Sequence, residues 1–216
     1  MSLNIEKTIQ KLSRYFPYPN IGTSQGVDYW KNRLLYSLIL SLIFFGFLAY
    51  IPSAYVAIKE QLWIIVGIDS VVYGLIFFLG ISKLMSAKTK IVIILSTVYL
   101  LGCMLLVILG PHGAGLIWLF LFPVLAGLLL DLKAVFVTTF INLLTLAILS
   151  VPVVLRKPEG LGLLDYEAFK WFVNTANFIA INFLVSISLS LIISRLNESL
   201  LKEKKISGLP VIDENN

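Results

Sequence analysis

One cysteine and one histidine stand among 216 residues, and Asp plus Glu number only 12. A single cysteine, Cys103, cannot close a disulfide within the chain, and a cysteine-based metal site is unsupported. Zinc hydrolysis needs clustered His and carboxylate ligands, which the chain does not supply. Serine proteolysis inside a membrane needs a histidine base beside the nucleophile, and His112 lies instead in a Gly-Pro turn. No GxxxxGK[ST] phosphate loop occurs. The opening residues carry Glu6, Lys7, Lys11 and Arg14 and no apolar core, so they are not a signal peptide. No catalytic residue, metal or cofactor is expected, and the chain alone is not expected to be an enzyme.

Charge is scarce as well: 13% of residues are charged and 58% hydrophobic, with mean hydropathy +0.92. Soluble domains carry about 25% charged residues. What is abundant is long apolar runs. A spanning helix needs about 20 mostly apolar residues, and six runs qualify: 34–57, 61–82, 91–110, 114–130, 134–155 and 168–194. Their continuity excludes the alternation of barrel strands. The fold class is therefore an all-α membrane protein, a bundle of six transmembrane helices. Residues 1–33 form an N-terminal segment with a short interfacial helix at about 4–16, and 195–216 a helical exit and an unstructured tail. The Gly110-Pro111-His112-Gly113 sequence predicts a tight hairpin between the third and fourth spans.

An even number of spans places both termini on one side. Lys7, Lys11, Arg14, Lys31, Arg33, Lys83, Lys88, Lys90, Lys133, Arg195, Lys202, Lys204 and Lys205 fall on that side, against Lys59, Arg156, Lys157 and Lys170 on the other. The positive-inside rule makes the terminal side cytoplasmic. The net charge of +5 then serves topology and contact with anionic headgroups; basic residues scattered over short loops do not suit nucleic acid. Trp30, Trp63, Trp118 and Trp171 fall near span ends, where aromatic side chains anchor at the interface.

Helix-favouring sequence continues past the sixth span, and Leu189, Ile193, Leu196 and Leu200 repeat at 4-3-4, the seam of a two-stranded coiled coil. A homodimer joined through this helix is expected.

Ionisable residues within a span are functional candidates. Asp69 lies about 12 Å below the outer end of the second span by helix rise. Asn174 and Asn177 on the sixth span, Tyr50 on the first, Tyr73 one turn from Asp69, and Ser150 match it in depth. Two readings stand side by side: a hydrogen-bonded cluster that holds helices together, or a pocket that senses a ligand or protons. His112 at the outer turn reads either as a solvated turn residue or as a reporter of external pH. Further in, Thr175, Asn182, Ser186, Ser190 and Ser194 form a stripe on the sixth span, and Thr138, Asn142 and Thr145 one on the fifth. Small and amide residues at helical spacing pack and hydrogen-bond helices in membranes. With the mid-span Pro123, they are the expected packing and transmission residues, continued by Ile193, Leu196 and Leu200.

The motifs Ala49–Ser53 (AYIPS), Lys59-Glu60, Trp63, Asp69, Tyr73, Leu109–Gly115 (LGPHGAG), Trp118–Gly127 (WLFLFPVLAG) and Asn142 together resemble the membrane-integral N-terminal sensor regions of bacterial histidine kinases and of related two-component and diguanylate cyclase proteins. The resemblance runs over roughly residues 28–205. It implies a sensory input module in the bacterial inner membrane whose sixth helix passes a stimulus to a cytoplasmic output domain, a histidine kinase or a partner response regulator, beyond this chain. It carries over no binding residues. The alternatives from the residues alone are a small transporter or channel, marked by solute flux that depends on Asp69, and a non-sensing scaffold or anchor.

Overall fold

The computed structural model describes residues 27–82, 85–155 and 167–206. The helix expected near 4–16 and the tail beyond Gly208 lie outside the described residues. Those residues are helical throughout their regular structure: α1 Val27–Lys59, α2 Trp63–Ile81, α3 Ala87–Leu109, a 3-10 turn Gly110–His112, α4 Gly115–Leu129, α5 Leu132–Leu155 and α6 Ala168–Ile206. Five are long and apolar enough to cross a membrane, and α4, of 15 residues, is the shorter exception. At 1.5 Å per residue α4 measures about 22 Å, less than the ~30 Å of hydrocarbon. α1 starts earlier and α6 ends later than the apolar runs, because neither helix needs apolar residues to continue into water or headgroups.

The chain divides into two compact units, Met1–Ile94 and Leu95–Asn216. In the first, α1 turns into α2 through Lys59–Leu62. Gln61 takes a left-handed φ of 57°; its N–H reaches the Ile58 carbonyl at 3.1 Å, and that of Leu62 reaches Ala57 at 2.8 Å. This bond pair is the Schellman helix stop, normally built on glycine. It fixes a reversal tight enough to lay α2 back along α1, where Tyr50 and Tyr73 stack with centroids 5.7 Å apart.

In the second unit the predicted hairpin is present. Gly110 supplies φ 69°, which other residues adopt only with strain. Gly115 opens α4 against α3 so closely that a Cβ there would collide with the Leu106 backbone. Asp131 caps α5, its Oδ1 accepting the Ala134 N–H at 2.8 Å. The core is Leu106, Leu119, Leu146, Val153 and Trp171. Around it and over the first unit, Phe44, Phe45, Ile64, Val71, Ile117, Phe140 and Phe172 point outward and are exposed. A surface this apolar is an association hazard in water and matches a hydrocarbon solvent. The protein is a multi-pass membrane protein.

Candidate functional site

The sequence stripes on the fifth and sixth spans meet at the proline-containing helix α4. Proline has no N–H, so Pro123 inside α4 leaves the carbonyl four residues earlier, that of Leu119, without its helical donor. In hydrocarbon such a carbonyl must find another partner. Asn142 of α5 provides it: Nδ2 donates to the Leu119 carbonyl at 2.7 Å. Asn182 of α6 donates to the next carbonyl, that of Phe120, at 3.2 Å. Two amides from two helices thus clamp the carbonyls just before the proline of a third.

Below the clamp α4 touches its neighbours through Gly127. A Cβ there would stand 2.8 Å from Val135 Cγ2 and 3.5 Å from both the Ser186 carbonyl and Ser190 Cβ. The small residues of the stripe are what permit this approach. Asn142, Asn182, Ser186 and Ser190 are all buried. Thr138 donates to the Ala134 carbonyl at 2.7 Å. Thr145 donates to Ile141 at 2.8 Å and pairs with Tyr99 at 2.6 Å.

Asp69 sits in the first unit, half-buried, and accepts a hydrogen bond from Ser53 of α1 at 2.8 Å. Tyr50 pairs with Ser70 at 2.8 Å, and the Tyr73 hydroxyl reaches the Ile43 carbonyl at 3.5 Å. The structure therefore brings Asp69, Tyr50 and Tyr73 onto one α1–α2 face and adds Ser53 and Ser70, which depth along the helices does not select. Ser53 directly follows Pro52 within α1, and that adjacency was the available signal. Asn174 and Asn177 belong to the second unit and are exposed there; Asn177 donates to its own helix at Val173, 3.0 Å away. Ser150, grouped by depth with Asp69, instead accepts the Trp171 indole N–H at 2.7 Å and donates to Leu146.

His112 ends the 3-10 turn. Ile193 is half-buried and Leu196 exposed on α6; Leu200 lies on the same helix. Two residues take places the sequence did not suggest. Trp171, expected at the interface, is buried in the core, because its indole N–H finds Ser150. Lys90, counted among the topology-setting charges, is buried. Its Nζ donates to the Ser82 carbonyl at 2.7 Å and lies 5.0 Å from the Tyr36 ring centroid. It covers the C-terminal end of α2, where a cation is favoured.

The described residues form an all-helical, multi-pass membrane domain with two polar clusters, one carrying a carboxylate and the other a proline-containing helix, and no cluster of metal-binding side chains among them. The chain belongs to MASE11, a family of membrane-associated sensor domains, whose model matches residues 29–196. The match ends at Leu196, where the candidate span of α6 also ends. Comparison with curated proteins and with solved structures gave no match. Membership supports a membrane sensory input module.

Proposed function

We propose that this chain is the input module of a bacterial signalling protein and drives a cytoplasmic output domain, a histidine kinase or a diguanylate cyclase, through α6. The observation that carries the reading is the length of α6. It is one unbroken helix of 39 residues, about 58 Å by helix rise, whereas its candidate span ends at Leu196. The same rigid rod that holds Asn182, Ser186 and Ser190 against α4 thus runs on to Ile206, about 15 Å beyond the span. A shift of α6 at the Pro123 clamp is felt at its far end. In this reading all six helices lie in the inner membrane, α4 completing its crossing with the 3-10 turn. Both termini are cytoplasmic, and two copies associate along α6. The α1–α2 cluster around Asp69 receives the stimulus.

The test is to compare output activity of the intact gene product in native membranes with that of an Asn182→Ala variant. Altered basal or stimulated output at unchanged abundance supports the reading. Unchanged output, or an intact product with no domain after α6, overturns it.

A further inference from the structure

Four polar oxygens at the α4–α5–α6 junction have no hydrogen-bond partner among the described residues: Oδ1 of Asn142, Oδ1 of Asn182, Oγ1 of Thr139 and Oγ of Ser186. Their residues are 1%, 1%, 8% and 0% exposed, respectively, so lipid headgroups and bulk water do not reach them. Orphaned polar groups at such depth are costly, and four on one junction is too many for chance neglect.

The helix register places them together. On α4 the sequence advances from Leu119 to Gly127 while the facing α5 residue falls from Asn142 to Val135, so these two helices run antiparallel. Over the same stretch the facing α6 residue rises from Asn182 to Ser186 and Ser190, so α6 runs parallel to α4. At the level of Pro123, α5 therefore presents Thr139 and α6 presents Ser186. Thr139 precedes Asn142 by three residues and Ser186 follows Asn182 by four, so each pair shares a helix face. By this register the four residues span about five positions of α4, from Leu119 to Val124, roughly 7.5 Å of depth, beside the proline.

We infer that this junction binds buried water, held by Asn142, Asn182, Thr139 and Ser186. The inventory of the orphans fits it. Both amide nitrogens already donate to α4, so the two Oδ1 atoms act only as acceptors, and the two hydroxyls can donate. Water offers two O–H donors and two lone pairs, the complement of that set, and each buried water makes about three such bonds. A cation suits the junction less well. Every ligand is neutral, no Asp or Glu lies on α4, and the described acids of α5 and α6 stand at helix ends or in the exit, at Asp131, Glu167, Glu198 and Glu203. A positive charge there would be uncompensated in hydrocarbon. A water inserted beside a proline also loosens the local helix ladder. The clamp is then a lubricated joint, able to exchange bonds between α4, α5 and α6 as α6 shifts. Hydration of the junction does not depend on any signalling output, so its test and that of the sensor reading fail separately.

The experiment is X-ray radiolytic footprinting of the full chain in lipid nanodiscs, with rapid mixing into ¹⁸O-labelled water. The water beside Pro123 should yield oxygen labelling of Pro123 and Phe122 despite their burial, with slow uptake of the heavy isotope. A near-isosteric double variant, Thr139→Val with Ser186→Ala, should reduce that labelling several-fold while the helical circular dichroism and melting curve stay cooperative. Melting midpoints of the wild type should agree in sodium, potassium and choline chloride. Absent labelling at Pro123 and Phe122, labelling indifferent to the double variant, or a midpoint raised by sodium alone, which would mark a cation site, each overturns the assignment.

Discussion

Nδ2 of Asn142 lies 2.7 Å from the carbonyl oxygen of Leu119, the carbonyl that a residue other than proline at position 123 would have capped from within α4. A break in one helix is thereby answered by a side chain of another. If the amide is there for the broken bond, its worth depends on the proline. Asn142→Leu should cost about 1–3 kcal/mol, the cost of stranding a buried acceptor. In a Pro123→Ala background the backbone N–H gained at that position restores the helical bond, and the same Asn142→Leu change should cost less than about 1 kcal/mol. A double-mutant cycle on reversible unfolding in mixed micelles measures the difference. Equal costs in both backgrounds would show that Asn142 serves another group.

The α3–α4 hairpin depends on the missing side chain of Gly115. A Cβ there would meet the backbone nitrogen and Cα of Leu106, atoms that cannot rotate away. Gly115→Ala should therefore destabilise the protein by about 1–3 kcal/mol, the range for overpacking. Gly67 of α2 has nothing within 4 Å of the same position, so Gly67→Ala should be neutral or stabilising by up to about 1 kcal/mol through helix propensity. Thermal unfolding of both variants in one detergent checks the contrast.

The helices, the hairpin and the residues of the α4 clamp were legible from sequence because each leaves a one-dimensional trace: run length, the GPHG turn, a mid-span proline, polar residues at four-residue spacing. What was not legible is azimuth. Depth along a helix follows from counting, and it puts Asp69, Ser150, Asn174 and Asn177 at one level. The side chain's direction around the axis depends on tertiary packing, and it pairs Ser150 with Trp171 and Asp69 with Ser53. Nor does the sequence distinguish an asparagine that bonds another side chain from one that bonds a freed carbonyl. The burial of Lys90 was illegible for a related reason. Four methylenes let its ammonium group reach back to the Ser82 carbonyl, so a basic residue at a span end need not face solvent.

Gln61 carries the left-handed turn of the α1–α2 stop with a side chain that disfavours it. Glycine at that position keeps both hydrogen bonds and removes the Cβ strain, so Gln61→Gly should stabilise the protein by about 0.5–1 kcal/mol. Gln61→Val should destabilise it by at least as much, since β-branched residues tolerate positive φ worst. Unfolding midpoints in the order Gly, Gln, Val are expected; any other order removes the Schellman reading.

Asp69 separates charge from hydrogen bonding. Asp69→Asn retains an oxygen that accepts from Ser53 and deletes the ionisable group, so folding and membrane insertion should match the wild type. Asp69→Leu deletes the acceptor as well. Ser53 is exposed and interhelical hydrogen bonds in membranes average about 0.6 kcal/mol, so this change should cost less than about 1 kcal/mol. If the cluster receives the stimulus, both variants lose the response of the intact protein while abundance stays level. A full response in both variants assigns the α1–α2 cluster to packing alone.

Association along α6 makes a directional prediction, because the helix presents two faces of opposite character. Ser186 and Ser190 are buried against α4, whereas Ile192 and Leu196 are exposed and apolar. A partner copy can reach only the second face. In a Cys103→Ala background, which removes the native thiol, Leu196→Cys and Ile192→Cys should form disulfide-linked dimers in native membranes under mild oxidation. Ser190→Cys should not. The register carries a further demand: if the 4-3-4 spacing from Leu189 through Ile193 and Leu196 to Leu200 is the seam, Ile193→Cys and Leu200→Cys crosslink more strongly than Ile192→Cys, since coiled-coil seam positions approach most closely. Crosslinking at 192 and 196 without 193 and 200 would place the dimer on a lipid-facing stripe instead of a coiled-coil seam. Crosslinking at none of these positions would count against a dimer built on α6.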